Sequence, residues 1–254
     1  MLKIGRLLLH SLFAGTLGGA LAVYAATADA AEVAVGFGDH IPPFCFPQTS
    51  SGIEVEIFRE ALAYRGHTIK PQFYPMKRIA AAFAKRDVDA AMMDSGIDLT
   101  PFGGIYAQPA VVYDNIFISL SSRHLKIKSP SDLKGLTVIA FPGALERYPE
   151  WLQPVKAAGN YVELNDQYSQ VKALEAGHYD LAVSDRYIFR YHLSLLHKEQ
   201  GSVAPVDEQE FTIHVDKDNR PIFRDPVLKA DYEAGLKHLK ETGRYQKIFD
   251  EFIN

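Results

Sequence analysis

The chain has 254 residues, 23% charged and 47% hydrophobic, with a formal net charge of −4. That balance offers no basic surplus for a nucleic-acid surface, and the single cysteine, Cys45, excludes an intramolecular disulfide, so stability must come from buried apolar surface. The length suits two small domains or one large one, on the usual scale of about 100–200 residues per domain.

Lys3 and Arg6 form a basic opening, Leu7 to Val23 is apolar and small, and Ala28-Asp29-Ala30 fits the small-x-small cleavage pattern. Residues 1–30 therefore read as an export signal rather than a retained anchor, because the apolar stretch is short and glycine-rich. Cleavage removes Lys3, Arg6 and Asp29, taking Lys+Arg from 27 to 25 and Asp+Glu from 31 to 30, a net charge of about −5. No later segment approaches the roughly 20 apolar residues of a membrane span, so the mature protein is expected to be soluble and periplasmic. Cys45 is not at the start of the mature chain, where a lipidated cysteine would be, and its neighbours Phe44 and Phe46 mark it as a packed residue.

From Ala31 the pattern alternates as in an α/β protein. Val33 to Phe37 reads as a strand that ends at Gly38-Asp39-His40-Ile41-Pro42-Pro43. Ile53, Ile57, Phe58, Ala61 and Leu62 recur at helical spacing and Gly66 supplies a stop; Thr68 to Tyr74 is a second strand, and Pro75 opens a helix with Ile79, Ala82 and Phe83 inward. An irregular or extended stretch covers Ser95 to Leu120. A helical turn at Ser131–Gly135 leads into a strand from Leu136 to Phe141, then a helix with Tyr148 and Trp151, a strand at Tyr161 to Leu164, and a helix marked by Val171 and Leu174. After Gly201 the chain is expected to run extended, with a strand over Phe211–Val215, and a helical pair broken at Thr242-Gly243 closes it. The competing reading is one doubly wound domain with decorated loops.

A unit is written twice. Lys85 to Asp94 and Ala176 to Asp185 each place a helix end, a turn, an Asp, a short apolar run and a second Asp in that order. Such a run reads as a buried parallel strand, which puts Asp94 and Asp185 at carboxyl edges, where open α/β sheets bind ligands. Two such edges point to two lobes facing across a cleft. Asp185 has a second reading, the N-cap of a helix beginning at Arg186.

Ile41-Pro42-Pro43-Phe44-Cys45-Phe46, Gly52-Ile53-Glu54-Val55-Glu56, Asp132-Leu133-Lys134-Gly135 with Gly143 beyond it, the Gly177–Asp185 unit, and Gly235-Leu236 to Gly243-Arg244-Tyr245 resemble, in order, the motifs of family 3 extracellular solute-binding proteins. The resemblance covers essentially the whole mature chain. It implies a type II periplasmic-binding-protein fold, a two-lobed α/β Venus flytrap with two crossover strands, and a monomer that delivers a small polar solute, often an amino acid, to an inner-membrane ABC permease. The lobes would be residues 31–116 plus 210–254 and residues 117–209, hinged near Asp114–Ser119 and Glu208–Phe211.

The same resemblance implies site residues. Phe37, Asp39 and Phe44 would supply a wall after the first strand, Met76 and Arg78 fall in the segment of an aromatic platform, and Asp94 and Ser95 would meet a ligand amine. In the second lobe Phe141, Gly143 and Ala144 belong to a loop entering a helix whose amides favour a negative group, and Asp185 would pair with an amine. Two departures matter: Thr100-Pro101-Phe102-Gly103 lacks the usual carboxylate-binding Arg, and Ala144 replaces the usual hydroxyl. Either Phe37, Phe44, Phe102, Tyr106 and Phe141 form an aromatic box for an amine or planar cation beside Asp39, Asp94 and Asp185, or Arg78 or Arg147 holds an organic acid or an unusually posed amino acid.

Some relatives of this fold are dehydratases, for which Glu146 or Asp185 would serve as the acid, but the missing cleft arginine weighs against an enzyme. The chain has no Gly-x-Ser-x-Gly elbow or His-Glu-x-x-His, and its nine histidines are not at metal-ligand spacing, so no cofactor or metal is expected. A periplasmic sensor or accessory protein would use the same lobe closure as a transporter component.

Overall fold

The computed structural model describes residues 30–39, 41–92, 97–210 and 220–253. The export signal, His40, Asp94, Ser95 and the strand expected over Phe211–Val215 lie outside them.

The described residues form two sheets. The first holds β1 (Glu32–Gly38), β2 (Thr68–Tyr74), β3 (Ala90–Ala91), β4 (Ile105–Tyr106) and a late strand, β10 (Ile222–Phe223), in the order β2-β1-β3-β10-β4. β1 runs parallel to β2 and β3, while β10 is antiparallel to β3 and β4. Val33, Val35 and Phe37 of β1 are all but fully buried, as a strand covered on both faces requires. Helices α1 (Ile53–Ala63) and α2 (Met76–Ala84) connect these strands, and the predicted inward residues Ile53, Ile57, Phe58, Ala61 and Leu62 are all buried.

The second sheet holds β5 (Asn115–Leu120), β6 (Val138–Ala140), β7 (Tyr161–Glu163), β8 (Leu181–Asp185) and β9 (Val206–Glu210), in the order β7-β6-β8-β5-β9. Its helices are α3 (Ala144–Arg147), α4 (Pro149–Ala157), α5 (Gln167–Glu175) and α6 (Arg186–Gln200). β6 is parallel to β7 and β8, and β5 is antiparallel to β8 and β9. This corrects the hinge expected from sequence. Residues 115–119 are not a free extended crossing: they form a strand paired on both sides, with Ile116 to Ser119 fully buried. A doubly hydrogen-bonded strand cannot absorb backbone rotation without losing its ladders. The crossing falls just before it, between Val111, which packs in the first core, and Asn115; Val112 there is 70% exposed.

The closing pair is α7 (Pro226–Glu241) and α8 (Arg244–Ile253), with the break where Thr242-Gly243 predicted it. Both lie against α1, and Tyr232, Leu236, Ile248 and Phe249 join the core of the first sheet. Arg244 ties α8 to α1 through Glu60, its Nε donating at 2.9 Å and Nη2 at 2.6 Å. Among the described residues no helix is long and apolar enough to cross a membrane.

α7 approaches α1 so closely that a Cβ on Gly235 would run into the backbone carbonyl of Ala61. Neither atom has a flexible side chain to yield, so the helices must part to admit a methyl group. Gly235→Ala is expected to destabilise the protein by about 2–3 kcal/mol, although alanine is the better helix former. Urea denaturation checks this, and an unchanged midpoint would refute the close approach.

Candidate functional site

Beyond the carboxyl end of β1 a tight loop spans Ile41 to Ser51. It is closed by bridges Ile41 to Cys45 and Phe46 to Ser51, and by Gly52, whose φ of 126° and contact with the Phe44 carbonyl leave no room for a side chain. Below the loop, Glu54 is buried and accepts from the Tyr113 hydroxyl at 2.8 Å and from the Cys45 thiol at 3.4 Å. Burial pushes the Cys45 thiol well up, and Glu54 adds to the rise. Cys45 is thus a packed, unreactive residue, as its neighbours predicted.

The outer face of this loop meets the second sheet across a cavity of about 490 Å3. Asp39, Pro42, Cys45, Phe46, Pro47 and Gln48 line it from one side; Asn165, Asp166 and Gln167 after β7, and Tyr191 and His192 of α6, line it from the other. The volume suits a small solute. Among the described lining residues the formal charges are those of Asp39 and Asp166, with neither Lys nor Arg. Asp166 caps α5, accepting from the Tyr168 amide and the Ser169 hydroxyl, and the Ser169 bond leads the effects that hold its carboxyl below the usual range. Burial holds His192 below the ordinary imidazole value, against the pull of Asp166.

Of the residues expected from sequence, Asp39 reaches the cavity wall. Phe37, Phe44 and Ala144 are fully buried in the lobe cores and present no wall to a solute. Phe141 packs half-buried on the second core. Tyr106 is a brace: its hydroxyl accepts from the Leu99 amide and donates to the Ile97 carbonyl. Met76 and Arg78 are exposed in the first turn of α2, Met76 lying against Gly38 at the end of β1. Arg147 ends α3 and is half-buried. Asp94 and Ser95 fall outside the described residues.

Asp185 is 3% exposed, and both its oxygens are engaged. Oδ1 accepts from the amides of Tyr187 (2.9 Å) and Ile188 (3.0 Å), and Oδ2 from the amide of Asp114 (2.6 Å). The carboxylate expected to pair with an amine is here the N-cap of α6 and a tie to the crossing segment. Burial pushes its carboxyl up to about 7, outweighing the three amides that favour the charged form.

The amides expected to face a ligand's negative group are also engaged, by a residue the sequence reading passed over. Glu163, the last residue of β7, accepts from the Gly143 amide at 3.0 Å and the Leu145 amide at 3.1 Å, and from the Tyr161 hydroxyl at 2.7 Å. Burial raises its carboxyl, but the Gly143, Tyr161 and Leu145 donors outweigh that and hold it below the ordinary glutamate value. The signal for this side of the cavity was available. The same carboxyl-edge rule, applied to the strand at Tyr161 to Leu164, points to Glu163 and to Asn165–Gln167. The wall residues on α6 carry no such mark, because a Tyr-His pair in a helix looks like any surface.

No protein-family model and no curated protein matches the sequence. Solved structures match it at low identity. The second substrate-binding domain of Lactococcus lactis GlnP, in an open conformation, is 20% identical with a TM-score of 0.60, over 87% of this chain and 94% of that one. An ancestral cationic amino acid solute-binding protein is 18% identical with a TM-score of 0.65, over 88% and 96%. A probable amino-acid ABC transporter extracellular-binding protein from Bacillus subtilis is 15% identical with a TM-score of 0.61, over 88% and 99%. The two facing sheets are the two-lobed type II periplasmic-binding-protein fold, shared with substrate-binding domains of amino-acid ABC transporters.

The raised Asp185 carboxyl makes a signed prediction. Between its unfolded value near 4 and its folded value of about 7, the native state holds a proton that the unfolded chain has released. The stability it contributes is complete below about pH 4 and lost as pH rises through 7. Asn caps helices as well as Asp and does not titrate. Relative to wild type, Asp185→Asn should therefore gain stability from pH 5 to pH 8, on the order of 2 kcal/mol. Parallel denaturation curves at the two pH values check this; a constant difference would refute it.

Proposed function

We propose that the protein is a periplasmic solute-binding protein that captures a small polar organic solute between its two lobes and presents it to an ABC permease of the inner membrane. The observation that carries this reading is the cavity walled by both lobes. A solute there touches the loop after β1 and the segment after β7 together, so binding favours whichever lobe angle satisfies both walls at once. The similar structures support it, being described as substrate-binding domains and extracellular-binding proteins of amino-acid transporters. The reading is of a monomer without cofactor whose work is binding and closure rather than bond-making.

A thermal-shift screen against amino acids, amines, organic acids and sugars tests the reading. A solute at about a hundred times its dissociation constant adds about 2.7 kcal/mol, which for a chain of this size raises the melting temperature by roughly 5–10 °C. The same solute should reduce the radius of gyration in small-angle scattering. Binding without compaction would refute capture by closure.

A further inference from the structure

The residue before β1 is held on both sides. The Ala31 amide donates to Nδ1 of His67 at 3.1 Å, and the Ala31 carbonyl accepts from the Thr68 amide at 2.9 Å. His67 lies between α1 and β2 with its side chain only 1% exposed. A ring nitrogen that accepts from an N–H carries no proton of its own, so the imidazole hydrogen is on Nε2, which donates to the Asp231 carboxylate at 3.0 Å. The bond at one nitrogen thus fixes the tautomer at the other. Asp231 belongs to α7, and Arg65 approaches its second oxygen at 3.8 Å. A carboxylate behind an imidazole makes the far nitrogen a stronger base, as it does for a metal-bound histidine. Such an acceptor suits a charged donor better than a neutral amide.

Ala31 is also the residue that the export pattern puts first in the processed chain, because Ala28 and Ala30 occupy the two small positions of the cleavage site. Hydrolysis of the Ala30–Ala31 bond by a signal peptidase places water's hydroxyl on the Ala30 carbonyl carbon and its hydrogen on the Ala31 nitrogen. The amine so formed takes up a proton at neutral pH, since an α-amino group has a pKa of about 8. The donor facing Nδ1 then changes from a neutral amide to an ammonium without any movement of the strand, and charge-assisted bonds are roughly twice as strong as neutral ones. Ala30 is exposed, so its removal opens no gap in the core.

Resting on the export reading, we infer that His67 and Asp231 form a binding seat for the α-amino group of the mature chain, and that this group belongs to Ala31. The seat joins the start of β1, the entry to β2 and α7, at the amino ends of the parallel strands and opposite the edge that carries the cavity. Processing at Ala31 therefore tightens the first lobe from a side remote from the solute.

Two measurements keep the export reading and the seat apart. The intact mass of the protein recovered from the periplasm of an expressing bacterium should be that of residues 31–254. A different first residue overturns the inference, and a chain that keeps its leader overturns the export reading with it. The 31–254 chain is then made with a free amine and with an N-acetyl group, which keeps the N–H donor but removes its charge, and the two are melted at neutral pH. The free amine should melt about 2–4 °C higher. A chain beginning at Ala30, whose ammonium stands one residue outside the seat, should melt with the acetylated form. In Asp231→Asn, which leaves Nε2 an acceptor but no charge, the gap between free and acetylated forms should fall by at least half. Equal melting of the two wild-type forms, or a chain from Ala30 that melts as high as the one from Ala31, overturns the seat while export stands. A gap unchanged in Asp231→Asn overturns the part assigned to the His67–Asp231 pair.

Discussion

The end of the second sheet and the crossing into it are gathered on one guanidinium. Arg186, at the start of α6, donates through Nε to Asp114 at 2.6 Å and through Nη2 to Glu210 at 3.3 Å, and its Nη1 pairs with Glu208. Asp114 ends the segment that brings the chain out of the first lobe, and Glu208 and Glu210 belong to β9, the last described strand before it returns. A rigid fork of donors therefore holds the outgoing crossing at Asp114 and the end of β9 to one point, which a flexible ammonium would do less specifically. Arg190 adds a two-pronged contact to Glu208, both arms at 2.7 Å. Next to it, Asp185 takes the Asp114 amide, so backbone and side chain of the same crossing residue are fixed by consecutive residues of one turn. Partly buried ion pairs of this kind add little net stability, because desolvation offsets attraction. Their effect here is positional: they set where each lobe begins.

The repeated unit was legible as a repeat, but its first aspartate does more than its place in a turn implied. Asp89 accepts from the Ala34 amide at 2.9 Å, and Asp180 accepts from the amide and hydroxyl of Thr137 at 2.8 and 2.9 Å. Each bonds the neighbouring parallel strand, β1 or β6, near its beginning. In each lobe the chain thus leaves a helix, anchors the adjacent strand with a carboxylate, and then runs up beside it. The carboxyl ends of the strands are aligned from their amino ends, and so the cleft edge is set by residues remote from it.

What sequence could show was the alternation of strand and helix, because buried strands and amphipathic helices leave periodic apolar marks. β1, α1, β2, α8 and the break before α8 are of this kind. It could not show β4 and β10, two residues each, since no periodicity survives at that length; they exist because neighbours pair with them, whereas the equally short β3 was legible from the repeated unit. Nor could it show that β5 is a central strand, because only its long-range partners distinguish a buried strand from an extended linker. The same limit governs the site. Asp185, placed correctly at a strand end, was assigned to a solute, but a carboxylate near backbone amides bonds them first. Asp185 does so with a helix and a crossing, Glu163 with a loop.

α6 explains why the cavity is tied to the lobe angle. Ile188 is buried in the first core, with Tyr187 packed on Phe249 at 5.1 Å, whereas Phe189 and Leu196 are buried in the second. Residues three and four apart share a helix face, so Ile188 and Tyr191 point toward the first lobe while Phe189, His192 and Leu196 point toward the second. Tyr191 and His192 are also the residues of α6 that line the cavity. One helix is therefore buried on both sides, and its boundary between the two faces is the cavity wall. Any rotation about the crossings must slide one of those faces over its partner. Tyr191, against Phe46 of the first lobe, and His192, on the second-lobe face, then cannot keep their separation from the opposite wall. A solute that fills the gap between them acts directly on the surface along which the lobes turn.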